Sequence, residues 1–386
     1  MVTHLKYCVG LDMAKDSFKA CFSVIDSLQK VTVKSSGSFP NTASGFANLI
    51  GWVKKHQKEP LPVVYVMEAT GVYYERLAWY LHELNCQVSV LLPTKAKRYF
   101  QSLGHKSKND KIDAQGLSLM GAQQALPQWQ PLSKRLYQLR VLTRFHESLQ
   151  VQHTQLGNQL HALSSGMHQV ELIAKQIRQT LKLLEKQLQQ VAKEIEKLIQ
   201  EDELLSDKFA KISKIKGVGC LTFATIVAET GGFALFENHR QLVSYAGYDV
   251  VEHQSGNRQG KTRISKKGNS RIRRALYMPA LTAVRTQEPV FVTLYNRIYG
   301  RNGIKMKAYV AVQKKLLCFM YELWTKNTSF DPSYYQRASG NQEPKLLFPV
   351  VCGANLLNEV VPTSGTTQDE LPCNQSPEVL FPVEQL

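Results

Sequence analysis

The chain has 386 residues, enough for two or three domains with substantial cores. It carries 48 Lys and Arg residues against 31 Asp and Glu residues, a formal charge of +17. This surplus favours a polyanion partner, most commonly nucleic acid. There is no run of eighteen apolar residues and no signal-peptide pattern. We therefore expect a cytoplasmic protein without membrane-spanning segments.

Charge and cysteine usage narrow the protein class further. Residues 1–340 contain 47 basic and 25 acidic side chains, whereas the remainder is mildly acidic and rich in Pro, Ser, Thr and Asn. We predict a flexible tail over residues 336–386. The seven cysteines are scattered without C-x-x-C spacing, which indicates reduced, mostly buried thiols and argues against zinc and disulfides.

The first part of the chain alternates strand and helix signals. Hydrophobic patterns predict helices at 42–55 and 73–84, together with strands at 7–12, 18–24, 31–39, 63–68 and 87–92. Three successive strands followed by alternating helices and strands are the order of an RNase H-like fold. We therefore predict an α/β RNase H-like domain over residues 1–130, in which the first and fourth strands are neighbours.

Four acidic residues in this region are candidate metal ligands. Asp12 and Glu68 each end an apolar strand, and Asp110 and Asp113 lie three apart, so that a helix starting there would present both on one face. Paired Mg²⁺ ions, or Mn²⁺ in their place, need several oxygen ligands from separate elements. Taken singly, each acid also fits a turn or a helix N-terminus. Their joint placement favours a site that cuts phosphodiester bonds.

Strand signals vanish after about Ser133, and Gln, Leu, Lys and Glu dominate as far as about Leu205. An apolar heptad seam within this stretch consists of Val170, Ala174, Ile177, Leu181, Leu184, Leu188, Val191, Ile195 and Leu198. The seam predicts a coiled coil, either in a helical hairpin or between chains, and an internal bundle is the alternative. We assign residues 131–207 to this helical coiled-coil linker.

A mainly α C-terminal domain is predicted over residues 208–335. The sequence from Ile215 to Gly219, before the apolar helix 221–229, is similar to a helix-hairpin-helix element. In such hairpins a glycine pair lets backbone N–H groups approach a phosphate. A simple tight turn is the alternative interpretation.

The same domain contains a basic, serine-containing segment. Between Arg258 and Arg274, eight of seventeen residues are basic and none is acidic. The candidate phosphate-binding residues are Arg258, Lys261, Arg263, Lys266, Lys267, Arg271, Arg273 and Arg274. We hypothesise that Ser255, in an accessible Ser-Gly pair, is a nucleophile, and that Ser265 is a helix cap or phosphate contact. The alternative is a plain binding loop in which both serines contact phosphate.

Together these segments resemble the DEDD transposases of bacterial insertion sequences, which have a RuvC-like N-terminal domain and a distinct C-terminal transposase domain. The resemblance covers roughly residues 5–330. The motifs that carry it are Gly10-Leu11-Asp12, Met67-Glu68-Ala69-Thr70-Gly71, Lys108-Asn109-Asp110-Lys111-Ile112-Asp113-Ala114, Ile215-Lys216-Gly217-Val218-Gly219, Tyr245-Ala246-Gly247, Ser255-Gly256 and Ile264-Ser265-Lys266-Lys267-Gly268-Asn269. The resemblance implies that Asp12, Glu68, Asp110 and Asp113 form a metal-binding tetrad and that Ser255 is the essential serine.

The resemblance also implies partners and a location. It implies DNA as substrate, a structured guide RNA encoded by the element, and a nucleoid-associated homo-oligomer in which one chain's tetrad works with another chain's serine. The sequence departs from the family at Tyr248-Asp249, where a Pro-containing turn is common, and in the length of the tail. Two alternatives are a structure-specific endonuclease of the Holliday-junction type and a non-catalytic nucleic-acid-binding protein.

Overall fold

The computed structural model describes residues 2–69, 71–104, 109–168, 170–252, 254–255, 258–259 and 262–331. The chain divides into two compact units, Met1–Gln138 and Leu139–Leu386. No helix in the described ranges is both long and apolar enough to cross a membrane. Of the cysteines within them, Cys8 and Cys21 are buried, as predicted, while the other three are partly exposed.

A single mixed sheet forms the centre of the first unit. Its strands are β1 (His4–Met13), β2 (Ser17–Asp26), β3 (Val31–Pro40), β4 (Val63–Glu68) and β5 (Gln87–Leu91). Their order is β3-β2-β1-β4-β5. β2 pairs antiparallel with both β1 and β3, whereas β4 pairs parallel with both β1 and β5. The prediction that the first and fourth strands are neighbours is therefore confirmed.

Helices cover both faces of this sheet. They are α1 (Ala43–His56), α2 (Glu75–Glu83), α3 (Pro93–Ser102) and α4 (Asp110–Gln123). Successive residues of β1 point to opposite faces, so that Val9 and Leu11 enter the core shared with α1 and α2, and Cys8 enters the core shared with α3 and α4. The sequence interpretation did not include α3, which forms within the basic stretch after Leu92.

Two long helices follow, α5 (Lys134–Ser164) and α6 (Glu171–Gln200). The predicted break near Ser164 coincides with the end of α5. On α6 the predicted seam lies on the more buried side, since Ile177, Leu184 and Ile195 are buried. Val170 is the exception, because it precedes the helix and is exposed. A coiled coil remains a prediction.

The described residues that follow, up to residue 331, are mostly helical, as predicted. The helices are α7 (Glu203–Ile212), α8 (Cys220–Thr230), α9 (His239–Ala246), α10 (Ser270–Ala275), α11 (Tyr277–Arg285), α12 (Pro289–Asn302) and α13 (Lys305–Lys326). The short strands are β6 (Val250–Val251), β7 (Gln254–Ser255), β8 (Arg258–Gln259) and β9 (Arg263–Ile264). Large aromatic residues fill the core, among them the fully buried Phe223, Tyr248 and Phe291.

The turn between α7 and α8 contains the proposed helix-hairpin-helix glycines. Gly217 has a φ of +95°, and a β-carbon there would lie 2.9 Å from Cβ of Thr282 on α11. The absence of a side chain at Gly217 therefore allows the turn to pack closely against α11. Gly219 is exposed and has no atom within 4 Å of its β-carbon position, so this end of the turn has room for a ligand. The helix-hairpin-helix assignment remains a prediction.

Candidate active site

Asp12 and Glu68 lie at the ends of two adjacent parallel strands. The pairing of β1 with β4 runs as far as Leu11 opposite Met67, and the two acids are the next residues of their strands. Both are partly exposed. Because the strands are parallel and in register, both side chains are at the carboxyl edge of the sheet and on the same face. That face is the one covered by α4.

α4 reaches this edge by packing directly onto β1. A β-carbon on Gly10 would lie 2.1 Å from the carbonyl oxygen of Ala114 and 2.2 Å from the backbone nitrogen of Ser118. Further along, Ser118 Oγ donates to the carbonyl oxygen of Cys8 at 3.0 Å, and Lys6 Nζ donates to the carbonyl of Gly121 at 2.8 Å. The helix therefore runs opposite to β1, and its first turn lies toward the strand ends.

The first turn of α4 carries the other two acids of the predicted tetrad. Asn109 caps the helix, with its Oδ1 accepting from the backbone nitrogen of Ile112 at 2.9 Å. Asp110 is exposed and Asp113 partly exposed, and acids in this position are favoured by the helix dipole. All four predicted carboxylates thus come from elements that meet at one edge and one face of the sheet.

The four side chains do not form a closed ligand set in this structure. Among the described residues, no three His, Cys, Asp or Glu side chains converge closely enough to hold a metal ion. Asp12, Glu68 and Asp113 each have an interaction partner. The donor chemistry nevertheless fits a hard divalent cation such as Mg²⁺ or Mn²⁺, which takes carboxylate oxygens, and the partial exposure of Asp12 and Glu68 leaves this edge accessible to water and phosphate.

The predicted nucleophile lies in a short hairpin of the second unit. β7 pairs with β8 so that Ser255 is opposite Arg258. The predictions for Lys261 and for the side chains of Ser255 and Arg258 lie outside the described residues. The hairpin connection between Ser255 and Arg258 is only two residues long, and it brings a serine backbone and an arginine backbone side by side.

The remaining basic residues fall into two groups. Arg263, Lys266 and Lys267 are exposed and are accessible to a phosphate. The other three contact the fold: Arg271 Nε and Arg274 Nη2 lie 3.0 and 2.6 Å from the Glu147 carboxylate, and Arg273 Nη1 donates to the carbonyl oxygen of Ala246 at 2.7 Å. These contacts hold α10 in place, which the sequence interpretation did not anticipate.

Ser265 is not the cap of the helix that follows the loop. Its Oγ accepts from the backbone nitrogen of Lys267 at 3.3 Å. The cap of α10 is Asn269, whose Oδ1 accepts from the backbone nitrogens of Arg271 and Ile272. Of the two predicted roles for Ser265, only the phosphate contact therefore remains open.

The sequence interpretation also missed a buried polar cluster around Glu229, which is 1% exposed. Arg144 binds this carboxylate with two nitrogens at 2.7 and 3.1 Å, and Asn269 Nδ2 donates to it at 2.7 Å. Burial alone raises the pKa of Glu229, but the hydrogen bonds from Arg144 and Asn269, together with the charges of Arg144 and Arg140, outweigh it and the net pKa is lowered. A single acid in the otherwise apolar α8 was the signal available in the sequence.

Two motifs of the family resemblance, residues 245–247 and 264–269, pack against each other beside this cluster. Gly268 has a φ of +159°, and a β-carbon there would lie 2.4 Å from the carbonyl oxygen of Tyr245. Gly247 ends α9 in the left-handed conformation, with a φ of +72°. Asn269 also donates its backbone N–H to the carbonyl of Tyr245 at 2.7 Å. Both motifs therefore fix the loop that carries the exposed cations.

Comparisons with known proteins match both parts of the chain. Residues 9–169 match a transposase family designated DEDD transposase IS110, and residues 210–296 match the Transposase IS116/IS110/IS902 family. The chain is 28% identical over 332 residues to the pilin gene-inverting protein of Moraxella bovis, an alignment that covers 86% of this chain and 99% of the relative.

Another relative and one solved structure show similarity to the chain. The chain is 25% identical over 351 residues to the transposase for insertion sequence element IS1111A of Coxiella burnetii, covering 83% of this chain and 90% of that protein. T. thermophilus RuvC in complex with a Holliday junction substrate has 11% identity and a TM-score of 0.23, covering 30% of this chain and 92% of that chain. A TM-score this low supports no conclusion about this chain.

Proposed function

Because the chain is a DNA transposase/recombinase of the DEDD family of insertion sequences, we propose that Asp12, Glu68, Asp110 and Asp113 hold a divalent metal ion at which DNA is cut. The observation that carries the proposal is the contact of the α4 backbone with Gly10. This contact places the first turn of α4 near the carboxyl ends of β1 and β4, which bear Asp12 and Glu68. A bound Mg²⁺ or Mn²⁺ ion would supply charge stabilisation for the reacting phosphate.

We further propose that Ser255 is the nucleophile. Its Oγ attacks a DNA phosphate, a phosphorus–oxygen bond to the serine forms, and the bond to one strand-end oxygen breaks. The serine proton ends on that leaving oxygen. A phosphoserine bond conserves the energy of the phosphodiester, so that attack by another strand end rejoins DNA without ATP. The name of the Moraxella relative, a gene-inverting protein, supports a reaction in which cut ends are rejoined.

The proposed partners are the element's DNA ends, its target DNA and a structured guide RNA. The exposed Arg263, Lys266 and Lys267, next to the serine hairpin, supply charge for either backbone. The resemblance to the family supports the RNA and a homo-oligomer. Exposed apolar side chains on α6, including Leu172 at 67% and Leu183 at 55%, give a second chain a surface to cover. A solution mass equal to one chain would contradict the oligomer.

The metal site is tested by comparing Asp12→Asn with Asp16→Asn. Asp16 is an exposed acid in the turn after β1 and is a matched control. With the DNA that flanks the gene, RNA transcribed from that region, and Mg²⁺, we expect the wild type and Asp16→Asn to cut. Asp12→Asn should be slower by roughly 100-fold or more, because a metal ion contributes several kcal/mol to such a reaction, yet it should bind DNA normally. Equal cleavage by Asp12→Asn would refute the site.

A further inference from the structure

α3 is a strongly cationic helix that has no role so far. Its Lys95, Lys97 and Arg98 are exposed. The sequence has no acid between Glu83 and Asp110. In the part of the chain that the structure describes, no carboxylate pairs with any of the three cations. The exposed surface of α3 is therefore available to an anion.

The strand before α3 fixes its start at the candidate active site. β5 pairs with β4 so that Leu91 is opposite Glu68. α3 begins two residues later, at Pro93, whose fixed φ suits the first position of a helix. Since β4 and β5 are parallel, α3 leaves the sheet from the same carboxyl edge that bears Glu68.

The packing of α3 against α4 fixes its orientation. Ala96 is fully buried in the core shared with α4. The ring of Phe100 lies against Gly116, where a β-carbon would be 2.5 Å from a ring atom. Tyr99 donates its hydroxyl to the side-chain oxygen of Gln123. Because Gly116 is one turn beyond Asp113, the cations of α3 are held on a rigid element beside the tetrad's helix.

We propose that Lys95, Lys97 and Arg98 are positioning residues that bind the sugar-phosphate backbone of the strand to be cut, next to the scissile phosphate. This inference rests on the proposed function, since it presumes that the carboxylate edge is the cutting site. Four carboxylates at one edge repel a phosphate chain. Three cations on the exposed surface of α3 offset that repulsion and fix where the chain lies.

The chain offers a matched control on the opposite face of the sheet. Lys54, Lys55 and Lys58 are also exposed, at and just after the end of α1, which packs in the core on the other side. In the described residues, no acid pairs with them either. Replacing these three removes the same charge from the same unit without touching the α3 face.

The test compares Lys95→Gln/Lys97→Gln/Arg98→Gln with Lys54→Gln/Lys55→Gln/Lys58→Gln. Binding is measured by fluorescence anisotropy over a salt series, in EDTA, with a DNA duplex from the gene's flank and an RNA duplex of the same sequence. Each lost phosphate contact lowers the slope of log affinity against log salt by about 0.9. We therefore expect the α3 variant to lose about 2 to 3 units of slope with DNA and the control variant to match the wild type.

Several outcomes would overturn the inference. If the α3 variant kept the wild-type salt slope, its three cations would not contact the DNA backbone. If the control variant lost as much slope as the α3 variant, the loss would be a general effect of charge. A loss confined to RNA would assign α3 to the RNA instead of the cut strand, whereas a loss with DNA supports the inference whether or not RNA binding also falls. Lys97→Glu is a second variant, expected to bind DNA more weakly than Lys97→Gln, and equal binding would count against the contact. The assay needs no cleavage, so it separates this inference from failure of the metal site.

Discussion

Gly10 on β1 and Ala114 on α4 are in direct backbone contact, at a distance that leaves no room for a side chain. A β-carbon on Gly10 would lie 2.1 Å from the carbonyl oxygen of Ala114. Gly10→Ala should therefore push α4 away from the sheet and lower the free energy of unfolding by about 3 kcal/mol. Urea unfolding of the purified protein measures this change.

Gly51→Ala is the control for this prediction. Gly51 is exposed in α1, and nothing lies within 4 Å of its β-carbon position. Alanine has a higher helix propensity than glycine, so this variant should gain up to about 1 kcal/mol. If Gly10→Ala were as stable as the wild type, the packing of α4 on β1 would be wrong, and with it the common placement of the four acids.

Arg144→Met should leave the buried carboxylate of Glu229 without its main partner. Removal of one member of a buried ion pair costs about 3–5 kcal/mol. Because the Arg144 side chain is 42% exposed, we expect a loss of about 2–3 kcal/mol at neutral pH. Arg178→Met is the control, since the ion pair of Arg178 with Glu171 is exposed on both sides and its loss should cost less than about 1 kcal/mol.

The effect of Arg144→Met should also depend on pH. In the folded wild type the pKa of Glu229 is lowered from its ordinary value near 4.5. The carboxylate therefore contributes stability above pH 4.5, and this contribution is lost as the pH falls through the lowered pKa. The stability difference between the wild type and the variant should be largest at pH 7 and narrow below about pH 4.5. A difference that widens in acid would contradict the cluster.

Asn269 and Asn238 make the same helix cap in different surroundings. Asn238 caps α9 and is exposed, whereas Asn269 caps α10 and also donates to Glu229 at 2.7 Å. Asp is as good a cap as Asn, so Asn238→Asp should be nearly neutral. Asn269→Asp should cost roughly 2–3 kcal/mol, since it replaces a donor by a second carboxylate beside a buried one. Thermal unfolding of both variants would test this, and equal melting temperatures would count against it.

The sheet was predictable because its strands have clear hydrophobic patterns and turn residues between them. The adjacency of Asp12 and Glu68 followed from strand order alone. By contrast, α3 was missed because its apolar residues, such as Ala96 and Phe100, are few among cations, although they lie on one side of the helix. Its packing on Gly116 is visible only once the sheet faces are assigned.

The contacts of the basic segment were not predictable from its composition. Arg273 binds the carbonyl of Ala246, 27 residues away in the sequence. Arg271 and Arg274 both bind Glu147 on α5, which is more than 100 residues away in the sequence. A run of cations does not reveal which of them the fold itself uses. It was equally beyond the sequence that the tetrad's carboxylates do not form a closed ligand set in this structure, because strand and helix positions place the backbone but do not determine side-chain rotamers.

The most direct test of the proposed reaction is a search for a covalent protein–DNA adduct. Wild type, Ser255→Ala and Ser265→Ala would be incubated with flanking DNA, RNA from that region and Mg²⁺, and resolved on a denaturing gel. We predict an adduct with the wild type and Ser265→Ala that is absent with Ser255→Ala. Cleavage by all three proteins without an adduct would contradict the serine mechanism and favour a hydrolytic nuclease of the Holliday-junction type.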